Sequence, residues 1–352
     1  MSGITIIGTG HHVPGAPVTN DALARVMETS DEWIQSRTGI QQRHFAQDGE
    51  GASDLGAEAA KNALDDAGVE ASEVDYIIFA TMTPDYFFPG SGPLLGAKLG
   101  ISGVPALDIR QQCAAMPYAF QLADALVQSG AAETILLVGA EVHAGFMPWT
   151  DWDVVRSESE REITPEAYQR ATKHRGLAII FGDGAAAMVL RKSASPDGGF
   201  IGAELHSDGD SFDHLFVSGC GFRNIPYVSS EALLADEHIP QMRGPSLLKK
   251  AVKTLSRTVK SLCETHGIAR DDIDCFIAHQ ANDRINQAVR NALRIPPEKI
   301  PSNIARYGNT SAATIGILTD ELRHDGTIRE GDLLCFLALG AGLNWGVALL
   351  RL

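Results

Sequence analysis

Apolar runs alternate along this chain with stretches in which apolar residues return every three or four positions. The runs at 74–81, 134–140, 276–278 and 333–339 have the length and composition of buried strands. The stretches 57–67, 117–128, 247–263 and 284–293 carry the helical period. Strand and helix in alternation predict an α/β protein with parallel or mixed sheets.

The pattern occurs twice. "AGVEASEVDYIIFA" (67–80) parallels "HGIARDDIDCFIAH" (266–279), and "LLVGA" (136–140) parallels "LALGA" (337–341). "QQCAAMPYAFQLADALVQSG" (111–130) parallels "YGNTSAATIGILTDELRHDG" (307–326), with Leu122, Asp124, Leu126 and Gly130 matched by Leu318, Asp320, Leu322 and Gly326. A spacing of about 200 residues is too long for a solenoid and implies two copies of one α/β unit. The expected division is 1–195 and 196–352. In this alignment Cys113 falls opposite Asn309. Both sit where a strand gives way to a helix, so both helix starts can face one crevice.

Composition narrows the function. The chain has 352 residues, 44% hydrophobic and 21% charged, enough for a substantial core. A net charge of −15 argues against nucleic-acid binding. The sequence has no apolar run of the roughly 18 residues that cross a bilayer. The opening "MSGITIIGTGHHVPG" lacks a basic leader, so no secretory signal is expected. The five cysteines (113, 220, 263, 275 and 335) include no CxxC pair. They suit a reducing, cytoplasmic setting and predict neither a disulfide framework nor a metal site.

Cys220, Cys263, Cys275 and Cys335 read as small core residues. Cys113 differs, because backbone N–H groups and the helix dipole at a helix start stabilise a thiolate. Its pKa is therefore expected to fall from about 8.5 towards 7. His279 ends a strand in "DCFIAHQAND", and Asn309 stands in "RYGNTSAATIG". Gly-Asn-Thr-Ser is also ordinary turn and N-cap chemistry. Together, Cys, His and Asn at strand ends form a set suited to covalent catalysis.

"TSDEWIQSRTGIQQRH" (29–44), "FGDGAAAMVL" (181–190), "HQANDRI" (279–285), "YGNTSAAT" (307–314) and "GAGLNWG" (340–346) occur in this order. The combination resembles the β-ketoacyl-acyl-carrier-protein synthase III family. That resemblance implies a duplicated thiolase-like fold, two similar α/β halves with mixed sheets in five layers, and a homodimer. It implies that Cys113 takes an acyl group from acyl-CoA, with the backbone N–H groups of Cys113 and Ala341 as oxyanion hole. Malonyl on an acyl carrier protein would then lose CO2, as neutral His279 and Asn309 donate to its thioester oxygen. Trp33, Arg37, Arg175 and Asn282 would hold CoA, with no separate cofactor. Phe88 would reach into the partner subunit's acyl pocket. Lys249, Lys253 and Arg257 form a basic stripe on the 247–263 helix that, with Arg284, would dock the acidic carrier.

The sequence departs from the family pattern in four places. Gln111 and Gln112 precede the cysteine, and Ala114 and Ala115 follow it. Ala341 stands inside the C-terminal glycine triplet, and Pro245 replaces an asparagine that helps hold CoA. The stretch 144–176, with Trp149 and Trp152, is longer than the family's loop and suggests a lid or a spacer. These features leave open a specialised ketosynthase or acyltransferase of secondary metabolism that loads a longer or aromatic acyl group. A degradative thiolase fits less well, because Cys335 precedes the glycine turn. A silent acyl-binding scaffold has no use for the three polar residues.

Overall fold

The computed structural model describes residues 3–352, and its main strands form a five-stranded and a four-stranded sheet. The first holds β1 (Ile4–His12), β2 (Tyr76–Ala80), β3 (Ala106–Ile109), β4 (Ile135–Glu141) and β5 (Gly184–Lys192), in the order β1-β5-β4-β2-β3. The second holds β6 (Gly199–Ser207), β7 (Cys275–Ala278), β8 (Leu333–Gly340) and β9 (Asn344–Arg351), in the order β7-β8-β9-β6. The two orders superimpose when β6, β9, β8 and β7 are set on β1, β5, β4 and β2. Strand directions agree as well: β4 with β2 and β8 with β7 are parallel, and the other matched pairs are antiparallel. Among the described strands of these two sheets, the edge strand β3 lacks a counterpart.

The helices that matter here are α1 (Asp31–Thr38), α2 (Ala52–Ala67), α3 (Ala115–Gln128), α4 (Pro165–Ala178), α5 (Gly244–His266), α6 (Asp283–Leu293) and α7 (Thr314–His324). Helix α2 covers the outer face of the first sheet, α3 and α7 fill the space between the sheets, and α5 with α6 covers the second. This is the five-layer thiolase-like arrangement. The alanine face of α2 lets β1 approach until a Cβ on Gly10 would lie 2.4 Å from the Ala63 nitrogen. Between the sheets, Phe120 and Phe336 meet at 4.8 Å, with Ile78, Met116, Ile315 and Leu318 around them. Each such side chain stabilises the fold by roughly 1.5–3 kcal/mol, and both copies contribute.

The long stretch at 144–176 is packed structure rather than a loose loop. Trp149 is buried, and Phe45 meets Trp149 at 6.0 Å and Trp152 at 5.2 Å, both edge-on. Arg156 donates to the Ala46 carbonyl at 2.7 Å. The charged run becomes α4, opened by Thr164 as N-cap and a proline in its first turn. Arg170 and His174 of α4 then grip Asp236 at 2.7 and 2.9 Å.

Candidate active site

Strand β3 ends at Ile109, and a tight turn over Gln112–Ala114 leads into α3. Gln112 has φ +53°, a left-handed conformation that L side chains rarely adopt. The matching turn before α7, Ser311–Ala313, has φ +47° at Ser311. The backbone therefore corrects the sequence alignment. Gln112 corresponds to Ser311 and Cys113 to Ala312, while Asn309 lies further upstream. The repeat misled because α7 has 11 residues and α3 has 14, so the copies agree at their helix ends and slip at their starts.

Across this junction the Cys113 Sγ lies 3.1 Å from the Ser311 Oγ. The Ser311 N–H donates to Asn309 Oδ1 at 2.8 Å. That bond fixes the amide and leaves Nδ2 as its donor end. His279, one residue past β7, has its N–H on the Leu337 carbonyl and its Nδ1 2.7 Å from Thr314 Oγ1. The Thr314 hydroxyl donates to the Ser311 carbonyl at 3.0 Å, so it accepts from His279 and the imidazole proton sits on Nδ1. Nε2 is buried and has no partner among the described residues. Burial lowers the His279 pKa to about 3, so the ring is neutral. A neutral ring was expected. In this network, however, its free nitrogen is an acceptor, not the donor the sequence reading called for.

The expected low thiol pKa is not found. Burial pushes Cys113 up to about 12, the Ser311 contact opposes this, and the Glu141 carboxyl adds to it. The helix start favours a thiolate, but desolvation outweighs it. Glu141 was not read from the sequence. It is fully buried at the end of β4, and burial raises its pKa. It accepts from the Met82 and Thr83 N–H groups at 3.1 Å and from the Ala312 N–H at 3.4 Å. One carboxyl thereby joins the first half to the second-half turn. Gly340, at the end of β8, packs so closely that a Cβ there would lie 2.8 Å from the Cys113 nitrogen.

Cys113 stands between two cavities. A tunnel of about 360 Å³ is lined by Cys113, His279, Asn309, Leu247, Leu248 and Ala251, with Arg37, Asn282 and Arg284 at its exposed side. Pro245 also lines it. A second cavity of about 780 Å³ is lined by Cys113, Gln112, Met82, Phe87, Phe146, Phe216, Cys220, Tyr227 and Ala341. Cys220 is therefore a cavity residue and only half-buried, unlike buried Cys263, Cys275 and Cys335.

The outer residues fall into two groups. The Arg37 and Arg175 guanidinium carbons lie 4.2 and 4.9 Å from the Trp33 ring centre. Asn282 caps α6 and donates to the Arg37 carbonyl at 3.0 Å, and Arg284 donates to the Ser36 carbonyl at 2.6 Å. Lys249, Lys253 and Arg257 line a different groove of about 560 Å³, with His206 and Trp345. Arg284 thus joins the tunnel residues rather than the lysine stripe. Phe87 lines the second cavity and meets Phe222 and Tyr227 at 4.9 and 5.1 Å, whereas Phe88 is 78% exposed.

A buried cysteine, histidine and asparagine lining one cavity of a duplicated α/β fold define a thiolase-fold enzyme of the acyl-transfer class. Comparison with known proteins agrees. The profile of the 3-oxoacyl-[acyl-carrier-protein] synthase III C-terminal region matches 263–352, that of 3-oxoacyl-[acyl-carrier-protein] synthase III matches 163–209, and the thiolase N-terminal domain matches 35–147. The β-ketoacyl-[acyl-carrier-protein] synthase III of Rhodospirillum rubrum is 40% identical, over 99% of this chain and 98% of its own. That of Ehrlichia canis is 37% identical, over 99% and 98%. The synthase III structure from Aquifex aeolicus superimposes with a TM-score of 0.83 at 34% identity, over 99% of this chain and 100% of its own. A priming β-ketosynthase of the R1128 polyketide biosynthetic pathway gives 0.84 at 25%, over 100% and 96%. The chain belongs to the β-ketoacyl-[acyl-carrier-protein] synthase III family, and is thus a ketosynthase of the acyltransferase type.

Proposed function

We propose that this chain condenses an acyl-CoA primer with malonyl on an acyl carrier protein, releasing CoA and CO2, and that Cys113 carries the acyl group between the two steps. The observation behind this reading is the tunnel lined by Cys113, His279 and Asn309, with Arg37, Asn282 and Arg284 also among its lining residues. Trp33 with Arg37 and Arg175 offers a stacking surface and two cations for the nucleotide end of CoA.

In acyl loading, the Cys113 sulfur attacks the thioester carbon. The neutral Nε2 of His279 takes the thiol proton and returns it to the departing CoA sulfur. The Cys113 and Ala341 N–H groups stabilise the tetrahedral oxyanion. In condensation, Asn309 Nδ2 donates to the malonyl thioester oxygen as CO2 leaves and enolate charge grows. His279 joins it when its proton is on Nε2 and the Thr314 hydroxyl donates to Nδ1, the two tautomers exchanging through water between the two substrates. The enolate carbon then attacks acyl-Cys113.

The carrier protein docks over the tunnel mouth, on Arg284 and on the Lys249–Lys253–Arg257 side of α5. The exposed apolar residues Tyr86, Phe88, Phe222 and Ile225 support a homodimer, and the five free cysteines suit the cytoplasm. Intact-mass measurement after mixing with acyl-CoA tests the central assignment. An adduct absent from Cys113→Ala is expected, and an equal adduct on that variant would sink it.

A second reading concerns the primer. The 780 Å³ cavity beside Cys113 is in the size range that holds whole drug-sized ligands, far more than an acetyl group fills. It favours a longer or aromatic acyl group, as in specialised ketosynthases. Adduct masses from a panel of acyl-CoAs decide between the two primers.

A further inference from the structure

We propose that Ser311 is a further catalytic residue, whose hydroxyl donates a hydrogen bond to the Cys113 sulfur as it becomes a thiolate during acyl loading. The proposal rests on Cys113 being the acyl acceptor.

The 3.1 Å contact is buried and joins residues 198 positions apart. Two observations show that the position is built for it. Ser311 holds φ +47°, where glycine would be at ease, yet the residue present carries a hydroxyl. Its backbone is also pinned from two directions, by Asn309 Oδ1 on the N–H and by the Thr314 hydroxyl on the carbonyl. The side chain is thus fixed at the sulfur while Asn309 and His279 are held by the same residue's main chain.

The hydroxyl has a second neighbour. It lies 3.7 Å from the Met82 Sδ, a weak acceptor. With the Ser311 O–H directed at Met82, the Ser311 oxygen is left to accept from the Cys113 S–H. When Cys113 loses its proton, the O–H turns to the far stronger acceptor, the thiolate. The sulfur–acyl bond then forms and the acyl–CoA bond breaks. The thiol proton ends on the CoA sulfur, and Ser311 keeps the proton it began with. Acyl loading needs this rotation, whereas decarboxylation by the acylated enzyme does not.

The test times Cys113 acylation by quenched intact-mass analysis with acetyl-CoA and octanoyl-CoA, with peptide mapping of the adduct. Ser311→Ala is expected to load about 10- to 100-fold more slowly and to shift the pH profile of loading upward. Ser311→Gly should lose as much, although it relaxes the φ strain. Once acylated by long incubation, both variants should lose much less in CO2 release from malonyl-carrier protein than in loading, because Asn309 is held by the Ser311 main chain and not by its hydroxyl. Loading at wild-type speed in both variants, or equal losses in loading and CO2 release, overturns the role of Ser311. Absence of a wild-type adduct on Cys113 overturns the parent assignment and this proposal with it.

Discussion

Gly340→Ala probes how tightly the two halves are fitted around Cys113. The added Cβ would lie 2.8 Å from the Cys113 nitrogen, 3.0 Å from the Ala114 nitrogen and 3.2 Å from the Cys113 Cβ. The first distance is roughly 0.7 Å inside comfortable contact. All three atoms belong to the turn that carries Cys113, so no flexible side-chain end absorbs the overlap. Strand β8 is held by β7 on one side and β9 on the other, so the turn must yield. An oxyanion donor works only over about 2.7–3.1 Å, and a shift of this size removes it. Loss of one such donor slows acyl transfer by about 100- to 1,000-fold. The fold should survive, since overpacking of this kind costs about 1–3 kcal/mol. The assay pairs the Cys113 acylation rate with a thermal melt. Gly176→Ala in α4 is the control, because nothing lies within 4 Å of that Cβ. Helix propensity makes the control variant more stable by up to about 1 kcal/mol. A folded Gly340→Ala protein that acylates at the wild-type rate would refute the reasoning that the Cys113 N–H is an oxyanion donor.

Three other outcomes are expected. With Cys113 near 12 and His279 near 3, neither group titrates around neutrality. Alkylation of the free enzyme by iodoacetamide, which needs the thiolate, should climb about tenfold per pH unit from 7 to 10, and a plateau near pH 7 would contradict the buried-thiol reading. Thr314→Val removes the hydroxyl that sets the His279 tautomer; CO2 release should fall at least about tenfold, and stability by about 1–3 kcal/mol. Burial alone would raise the Asp236 pKa, but hydrogen bonds from His174 and Arg170 outweigh it and hold it near 2. Its folded value lies below the unfolded one, so its contribution is present above pH 4 and is lost as pH falls from about 4 to 2. Asp236→Asn should therefore cost about 1–2 kcal/mol at pH 7, allowing for the partly exposed Arg170 and Lys173, and the deficit should vanish in urea melts near pH 2.

The strands legible in the sequence were the continuous apolar runs, now β2, β4, β7 and β8. Strands β1, β5, β6 and β9 were not read. "GAAAMVLRK" and "NWGVALLR" hold small or mixed residues of modest β propensity, and their pairing is decided by neighbours far along the chain. Helix α2 begins at Ala52 rather than 57, because Gly51 and Asp54 open it ahead of the apolar period. Cys113 and His279 were visible as polar interruptions beyond strands, whereas Asn309, expected at a strand end, follows the short helix Ile304–Tyr307. Ser311 and Thr314 were hidden inside a Gly-Asn-Thr-Ser run that reads as an N-cap, whereas the N-cap position of α7 is Ala313 and makes no side-chain bond. Glu141 could not be found from pattern at all, since a carboxyl at the end of an apolar strand reads as a solvent boundary. What buries it is the turn of the other copy.

That burial explains why the site needs both copies. Cys113 comes from the first half, and its nearest hydrogen-bonding side chain, Ser311, comes from the second. The turn that carries Ser311 is tied to Glu141 of the first half through the Ala312 N–H. Each half thus supplies the support for a functional group of the other. The left-handed residues show how duplication was used. In the first turn the strained Gln112 serves to aim the residue after it. In the second turn the strained Ser311 offers its own side chain, and the residue after it gives only an N–H. One backbone device therefore presents Cys113 in one copy and, in the other, the hydroxyl that meets its sulfur. Helix α7 is three residues shorter than α3, while the same turn opens both. A repeat aligned on helix ends paired the wrong residues, yet it located the crevice, because the two turns meet there.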